Sequence, residues 1–403
     1  MIRVWTALTL CLTCATLAIA QGYVTRFDDD GAIIVNGKRT IIIGSYYDPK
    51  SAEPYKEMAE AGFNLVNTGA DKAALDGAHA AGLMAWVPVG TLDLAKVDES
   101  RAALEAAVAA VKDHPAVAIL VTTDEPAWSW MKADARVPAQ ALVDAYPVIK
   151  GIDPNHLLYT NHAPTNLVKT MQAYNGGTDI VACDIYPVNP GGLKHQYALF
   201  EDGHQGDLNN EHISQVGEYV EKMRRVAGPN RPVFMVLQGF AWEMLLPEHE
   251  RREEKILYPS FAQQRFMAFQ SVIKGANGII YWGTDFTPQP SQAWTDLKRA
   301  VREVADLAGP LSQRNSALRV NVDYEEIGQS VDDGVQWMVK EYDGKLFLFT
   351  CNADKTECRA TLSGFSGWTK ANVIGENRTI ELKDGGFSDY WKRFDVHVYE
   401  LSR

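Results

Sequence analysis

The chain has 403 residues, and its 39 Lys+Arg against 51 Asp+Glu give a formal net charge of −12. That balance argues against nucleic acid or an anionic membrane surface as partner, since both recruit a basic face. The length suggests one large domain with a smaller companion, and the 10% aromatic content suits a soluble protein handling neutral ligands, of which sugars are the common kind for exposed Trp and Tyr.

Residues 1–20 read as a secretory signal: Arg3 supplies the positive start, "VWTALTLCLTCATLAIA" the apolar stretch, and Ala18-Ile19-Ala20 a small-x-small cleavage site before Gln21. The run is too short and badly flanked to span a bilayer, and no later segment approaches the roughly 20 apolar residues a span needs. The mature chain is therefore expected to be exported, secreted or periplasmic. In an oxidising compartment Cys351 and Cys358, which flank "NADKTE", would form a disulfide; the alternative is two reduced thiols on neighbouring strands. Cys183, alone within "DIVACDIYP", reads as a buried, inert thiol.

Residues 21–40, "YVTRFDDDGAIIVNGKRT" and its flanks, predict an N-terminal β-hairpin with "DDDG" and "VNGK" as turn signals. From Ile41 to residue 308, apolar runs alternate with amphipathic stretches. "RTIIIGSYY" precedes "AEPYKEMAEAG", "AVAILVTTDEP" precedes "PAQALVDAYPVIKGI", and "GIIYWGTD" precedes "SQAWTDLKRAVREVADLAG". Eight such strand–helix pairs predict an α/β chain built as a closed (β/α)8 TIM barrel. A doubly wound open sheet would want a glycine-rich phosphate turn after its first strand, and "GSYYDPK" is no such turn. Residues 309–403 change character to short alternating strands between Gly, Asn and Asp turns, which predicts a C-terminal antiparallel β-sandwich.

Barrel active sites are built where strands end, so the residues at those ends are the candidates. The first strand ends in Tyr47 and Asp48, and the fourth in the acid pair Asp124 and Glu125. The fifth ends in Asn161 and His162, the sixth in Asp184 and Tyr186, the seventh in Gln238 with Trp242 in its loop, and the eighth in Trp282 and Asp285. A carboxyl kept protonated beside aromatic planes suits cleavage of a glycosidic bond. Glu125 is the natural proton donor. In extended geometry Asp124 would face away from it, but a bulge, or a turn at Pro126, would bring both acids into one site, and their repulsion would then raise one pKa.

The segments "VNGKRTIIIGSYYDP", "HPAVAILVTTDEPAW", "DIVACDIYP", "VFMVLQGF" and "GIIYW" together resemble the barrel of clan A glycoside hydrolases, from roughly Ile34 to Leu307. The resemblance implies Glu125 as acid/base, with Asp124 in place of the clan's Asn, and Gln238 where the strand 7 nucleophile is expected. An amide is no nucleophile, so the double-displacement mechanism does not carry over directly. The Asp-Glu pair also resembles hexosaminidase families that use substrate assistance, with Asp124 orienting an acetamido group and Gln238 free to bind the sugar. Inversion with Asp184 as base and a displaced nucleophile at Glu243 are further options. The expected activity is hydrolysis of glycosidic bonds in a poly- or oligosaccharide, without cofactor; the alternative is a carbohydrate-binding pseudoenzyme. A metal site on His162 with Asp48, Asp184 or Asp285 lacks any HxH or HExxH spacing, so no metal is expected.

Overall fold

The computed structural model describes residues 22–128, 134–190, 212–325 and 331–403. The expected leader and its cleavage site lie outside the described residues. Strands β1 (Thr25–Phe27), β2 (Ile33–Val35) and β3 (Lys38–Thr40) form an antiparallel sheet in that order. The two turn signals expected of a hairpin are thus the two turns of a three-stranded meander. Among the described residues no helix is long and apolar enough to cross a membrane.

The barrel closes from eight parallel strands: β4 (Ile42–Ser45), β5 (Leu65–Asn67), β6 (Met84–Pro88), β7 (Val117–Asp124), β8 (Leu157–His162), β9 (Ile180–Ile185), β10 (Val233–Gln238) and β11 (Gly278–Trp282), with β11 pairing back onto β4. Helices α1 (Pro54–Ala61), α2 (Lys72–Ala80), α3 (Val97–Val111), α4 (Ala139–Ile152), α5 (Val168–Gln172), α6 (Gln215–Ala227), α7 (Phe261–Ile273) and α8 (Gln292–Asp306) follow the strands in turn. A ninth short helix, α9 (Ala308–Leu311), leads out of the barrel. The strands are apolar on both faces because both are covered. Ile42, Leu65, Trp86, Ile119, Tyr159, Phe234 and Ile280 fill the interior, while intervening residues such as Ile43, Val66, Val181 and Met235 pack against the helices.

Two antiparallel sheets close the chain. One is ordered β12 (Asn321–Tyr324), β15 (Cys358–Ser363), β18 (Gly386–Trp391). The other is ordered β13 (Val335–Tyr342), β14 (Lys345–Asn352), β19 (Val396–Ser402), β16 (Lys370–Val373), β17 (Arg378–Glu381). Alternate residues of β14 serve two cores: Leu346 and Leu348 face the partner sheet, whereas Phe347, Phe349 and Cys351 join the cluster built with the barrel helices. The same alternation corrects the expected disulfide. Cys351 and Cys358 are both free and buried, one in the cluster shared with the barrel and the other inside the sandwich.

Candidate active site

The acid pair is brought to one place by an irregularity in β7. Val121 lies opposite Tyr159 and Asp124 opposite Asn161, so β7 takes three steps where β8 takes two. Tyr159 belongs to the barrel interior. Strict alternation from Val121 would send Asp124 outward, and the inserted residue returns it to the inner face. Glu125 follows with φ at +43°, a left-handed conformation uncommon for a residue with a long side chain. Its N–H still donates to the Asn161 carbonyl at 2.9 Å, which extends the β7–β8 ladder by one rung.

Asn161 ties two acids together. Its side-chain NH2 donates to Asp124 Oδ1 and to Asp184 Oδ1, each at 3.0 Å. Asp184, next to last in β9, is buried and close enough to Glu125 for the two to interact. Two carboxyls in one buried site cannot both stay ionised without cost. Burial, followed by the charges of Glu125 and Asp124, drives Asp184 well above the usual carboxylate range. Glu125 rises from its ordinary 4.5 to about 7, through burial first and the Asp124 charge second. Asp124 is raised by burial, with Asn161 and Arg136 opposing. Arg136 reaches in from the loop before α4: its Nη2 is 3.7 Å from Glu125 Oε2, and its Nη1 donates to the Asp124 carbonyl at 3.3 Å.

Aromatic rings surround the acids. Below them Trp86 meets Tyr46 and Tyr159 edge-on, at 4.6 and 5.1 Å between centroids. The Tyr46 and Tyr159 hydroxyls lie 3.3 Å apart, and burial keeps both protonated. To one side Tyr186 stacks on Trp282 at 5.5 Å, and Phe240 meets Trp282 edge-on at 4.9 Å. Gly283 permits this packing, since a Cβ there would collide with the Phe240 ring. Trp242 donates its ring N–H to the Tyr186 carbonyl at 3.2 Å, and Tyr47 packs edge-on against Trp282 at 6.3 Å. Tyr186, Trp282, Tyr47 and Trp242 all retain part of their surface for a ligand.

Other strand-end residues are committed elsewhere. His162 follows Asn161 on β8 and so faces outward, where it is fully buried against Tyr174 and held neutral by burial, with its pKa down at about 3. Gln238 is fully buried. Its amide oxygen accepts from Val188 N–H at 2.8 Å, and its NH2 donates to the Val188 and Phe240 carbonyls at 2.9 and 3.0 Å. Its polar capacity is spent on backbone, not on the cavity. Glu243 is also buried, in a two-pronged pair with Arg252 at 2.8 and 3.2 Å that holds it ionised. Asp48 lies beside Tyr55, with burial raising its pKa, and Asp285 pairs with Lys50 at 3.0 Å near the surface. Arg136, Tyr46, Trp86 and Tyr159 are neighbours that sequence reading did not single out. The last three sit at period-two positions along strands and could have been found that way, whereas nothing in the spacing marks Arg136. Among the described residues, the only group of three or more His, Cys, Asp or Glu side chains close enough to hold a metal ion together is Asp28, Asp29 and Asp30, which Arg39 and Arg314 engage at the far end of the barrel.

The fold and this rim define a (β/α)8 barrel with a C-terminal β-sandwich, carrying three clustered carboxyls where its strands end. No protein-family model matches the sequence, and comparison with curated proteins finds no relative. Solved structures do share the architecture, glycoside hydrolases among them. One described as a glycoside hydrolase superposes with a TM-score of 0.58 at 15% identity, covering 95% of this chain and 97% of its own. A family 5 glycoside hydrolase from Bacteroides vulgatus gives 0.57 at 13%, covering 95% and 93%. The α-amylase of Geobacillus thermoleovorans, complexed with acarbose, gives 0.55 at 9%, covering 90% and 98%. At such identities the likeness is one of fold.

Proposed function

We propose that the protein is an exported glycoside hydrolase in which Glu125 is the general acid. The observation that carries this reading is the cluster of Asp124, Glu125 and Asp184, with Asn161 bridging the two aspartates, at the end of a closed barrel where active sites are built. Glu125, near pH 7, delivers its proton to the glycosidic oxygen as the bond to the anomeric carbon breaks. The electron pair of that bond leaves with the oxygen. Burial and the Asp124 charge keep Glu125 protonated, and Asp184, held protonated by its own burial, positions the donor. Asp124, the least perturbed of the three, supplies negative charge toward the developing oxocarbenium ion or, on an N-acetylated sugar, toward the acetamido group.

Two observations favour substrate assistance over a carboxylate nucleophile on the seventh strand. Gln238 is neutral and turned to backbone, and Glu243 is locked by Arg252. A sugar would rest on Trp282 and Tyr186, with hydroxyls reaching Tyr47 and the side-chain amide oxygen of Asn161, which has no partner of its own among the described residues. A purely sugar-binding protein has no use for three carboxyls of raised pKa, since each costs stability when ionised. The test is a panel of aryl glycosides and oligosaccharides, with and without N-acetyl groups, run on the wild type and Glu125→Gln. The variant should lose about 10²–10⁴-fold in turnover on substrates with poor leaving groups while keeping sugar binding. Unchanged turnover removes Glu125 from the mechanism, and a sugar trapped covalently on any carboxylate by a fluorosugar removes substrate assistance.

A further inference from the structure

At the base of the barrel, opposite the acid cluster, the N-terminal sheet, the barrel and the sandwich enclose a cavity of about 480 Å³. That is within the roughly 300–1,000 Å³ range of small-molecule sites. Five cations line it: Arg39, Arg224, Lys274, Arg314 and Lys340. The acid on its wall is Asp30. In a chain of net charge −12 such a concentration of positive charge is against the overall balance.

Three of the five are compensated. Arg39 engages Asp28 at 2.6 Å and Asp30 at 2.5 Å, Arg314 engages Asp28 at 2.8 Å and Asp29 at 2.5 Å, and Lys274 pairs with Glu221. The other two are bonded to backbone oxygens. Arg224 donates to the Arg231 and Pro229 carbonyls at 3.0 and 3.1 Å. Lys340 donates to the Gln313 carbonyl at 2.5 Å and is only 8% exposed.

Lys340 is the informative residue. It shares the barrel-facing side of β13 with Met338, a member of the cluster formed with the barrel helices, where an apolar side chain would ordinarily stand. A lysine is almost never so buried unless paired. An ammonium has three donors, and one carbonyl satisfies one of them. Burial accordingly draws its pKa down to about 8, the sign of a charge short of compensation.

We propose that this junction is a binding site for a small multivalent anion, phosphate or a polycarboxylate, held by Lys340 and Arg224 and walled by the paired arginines. The ligand would supply the missing countercharge where three parts of the fold meet. It would act on their docking, not on the chemistry at the other end of the barrel.

The experiment is thermal unfolding of the full chain in a non-coordinating buffer at pH 7, titrated separately with inorganic phosphate and with citrate, and ionic strength matched by sodium chloride. At least one of the two should raise Tm saturably in the wild type, and the ion effective at the lower concentration identifies the ligand class. Lys340→Met, which keeps the stem and removes the charge, should lose that response, as should Arg224→Gln. If Lys340→Met does not fold, Arg224→Gln alone decides. No stabilisation beyond the salt control overturns the proposal, and so does a response that persists in the variants.

Discussion

Asp124→Asn perturbs the acid cluster with little steric change, and its consequence can be worked out in sign and size. The new side chain keeps an oxygen to accept the Asn161 amide that now reaches Asp124 at 3.0 Å, so the fold should be unaffected. What disappears is a negative charge, the second-ranked cause of the rise of Glu125 to about 7. Two carboxylates on the order of 8 Å apart, at an effective dielectric near 20, repel by ~2 kcal/mol, or ~1.5 pH units. A general acid works while protonated, so activity falls as pH rises through its pKa. In the variant that alkaline limb should therefore move toward acid by about one unit. The rate at its plateau should also fall, because the charge facing the transition state is gone. The assay is kcat/KM against pH on an aryl glycoside with a poor leaving group. An alkaline limb that stays in place, or moves to higher pH, would refute the assignment of Glu125 as the acid under Asp124's influence.

Glu125→Gln tests the same carboxyl through stability. Its folded pKa lies above its ordinary value, so the native state binds the extra proton between about 4.5 and 7 and the wild type loses stability as pH rises across that window. The variant should match the wild type below pH 4.5 and exceed it at pH 8, by at most about 3 kcal/mol; chemical denaturation at the two pH values checks this. Gln238→Glu restores the residue type that clan A barrels carry, yet it should create no nucleophile. Its carboxylate would meet the Val188 and Phe240 carbonyls that now accept from the amide, so unfolding should cost about 2–3 kcal/mol less, and a fluorosugar should label nothing. Trp282→Ala should raise KM about tenfold, equivalent to ~1.4 kcal/mol, with a smaller change in kcat; an unaltered KM would place the sugar elsewhere.

The barrel was readable because its strands are apolar on both faces and each is followed by an amphipathic helix, and the sandwich because its strands alternate between frequent turns. Period-two reasoning also marks where each strand ends, which is why Asp124, Glu125, Asn161 and Asp184 stand out from the chain's other acids and amides. It fails where geometry departs from the period or where a polar side chain has a choice of partner. The inserted residue before Asp124 and the left-handed backbone at Glu125 leave no mark in composition. His162 sits one residue beyond Asn161, and that single step sends it to the helical layer. Gln238 occupies a strand end like the others, but its amide meets the nearby Val188 backbone. Cys351 and Cys358 flank a short turn-rich segment, yet strand alternation directs them into different cores.

The Asn161 amide has two hydrogens, and each is committed to a different acid. It acts as a calliper whose opening is set by the width of one planar NH2 group. If a proton arriving at Asp184 rotates that carboxyl, the amide must pivot, and the Asp124 oxygen on its other jaw loses alignment. The three acids would then answer pH as one body, and spectroscopic titration of any one of them should trace a multi-step curve that belongs to the set. Asn161→Asp would put a fourth acid at the jaw, while Asn161→Ser has one hydrogen to offer and must choose a side.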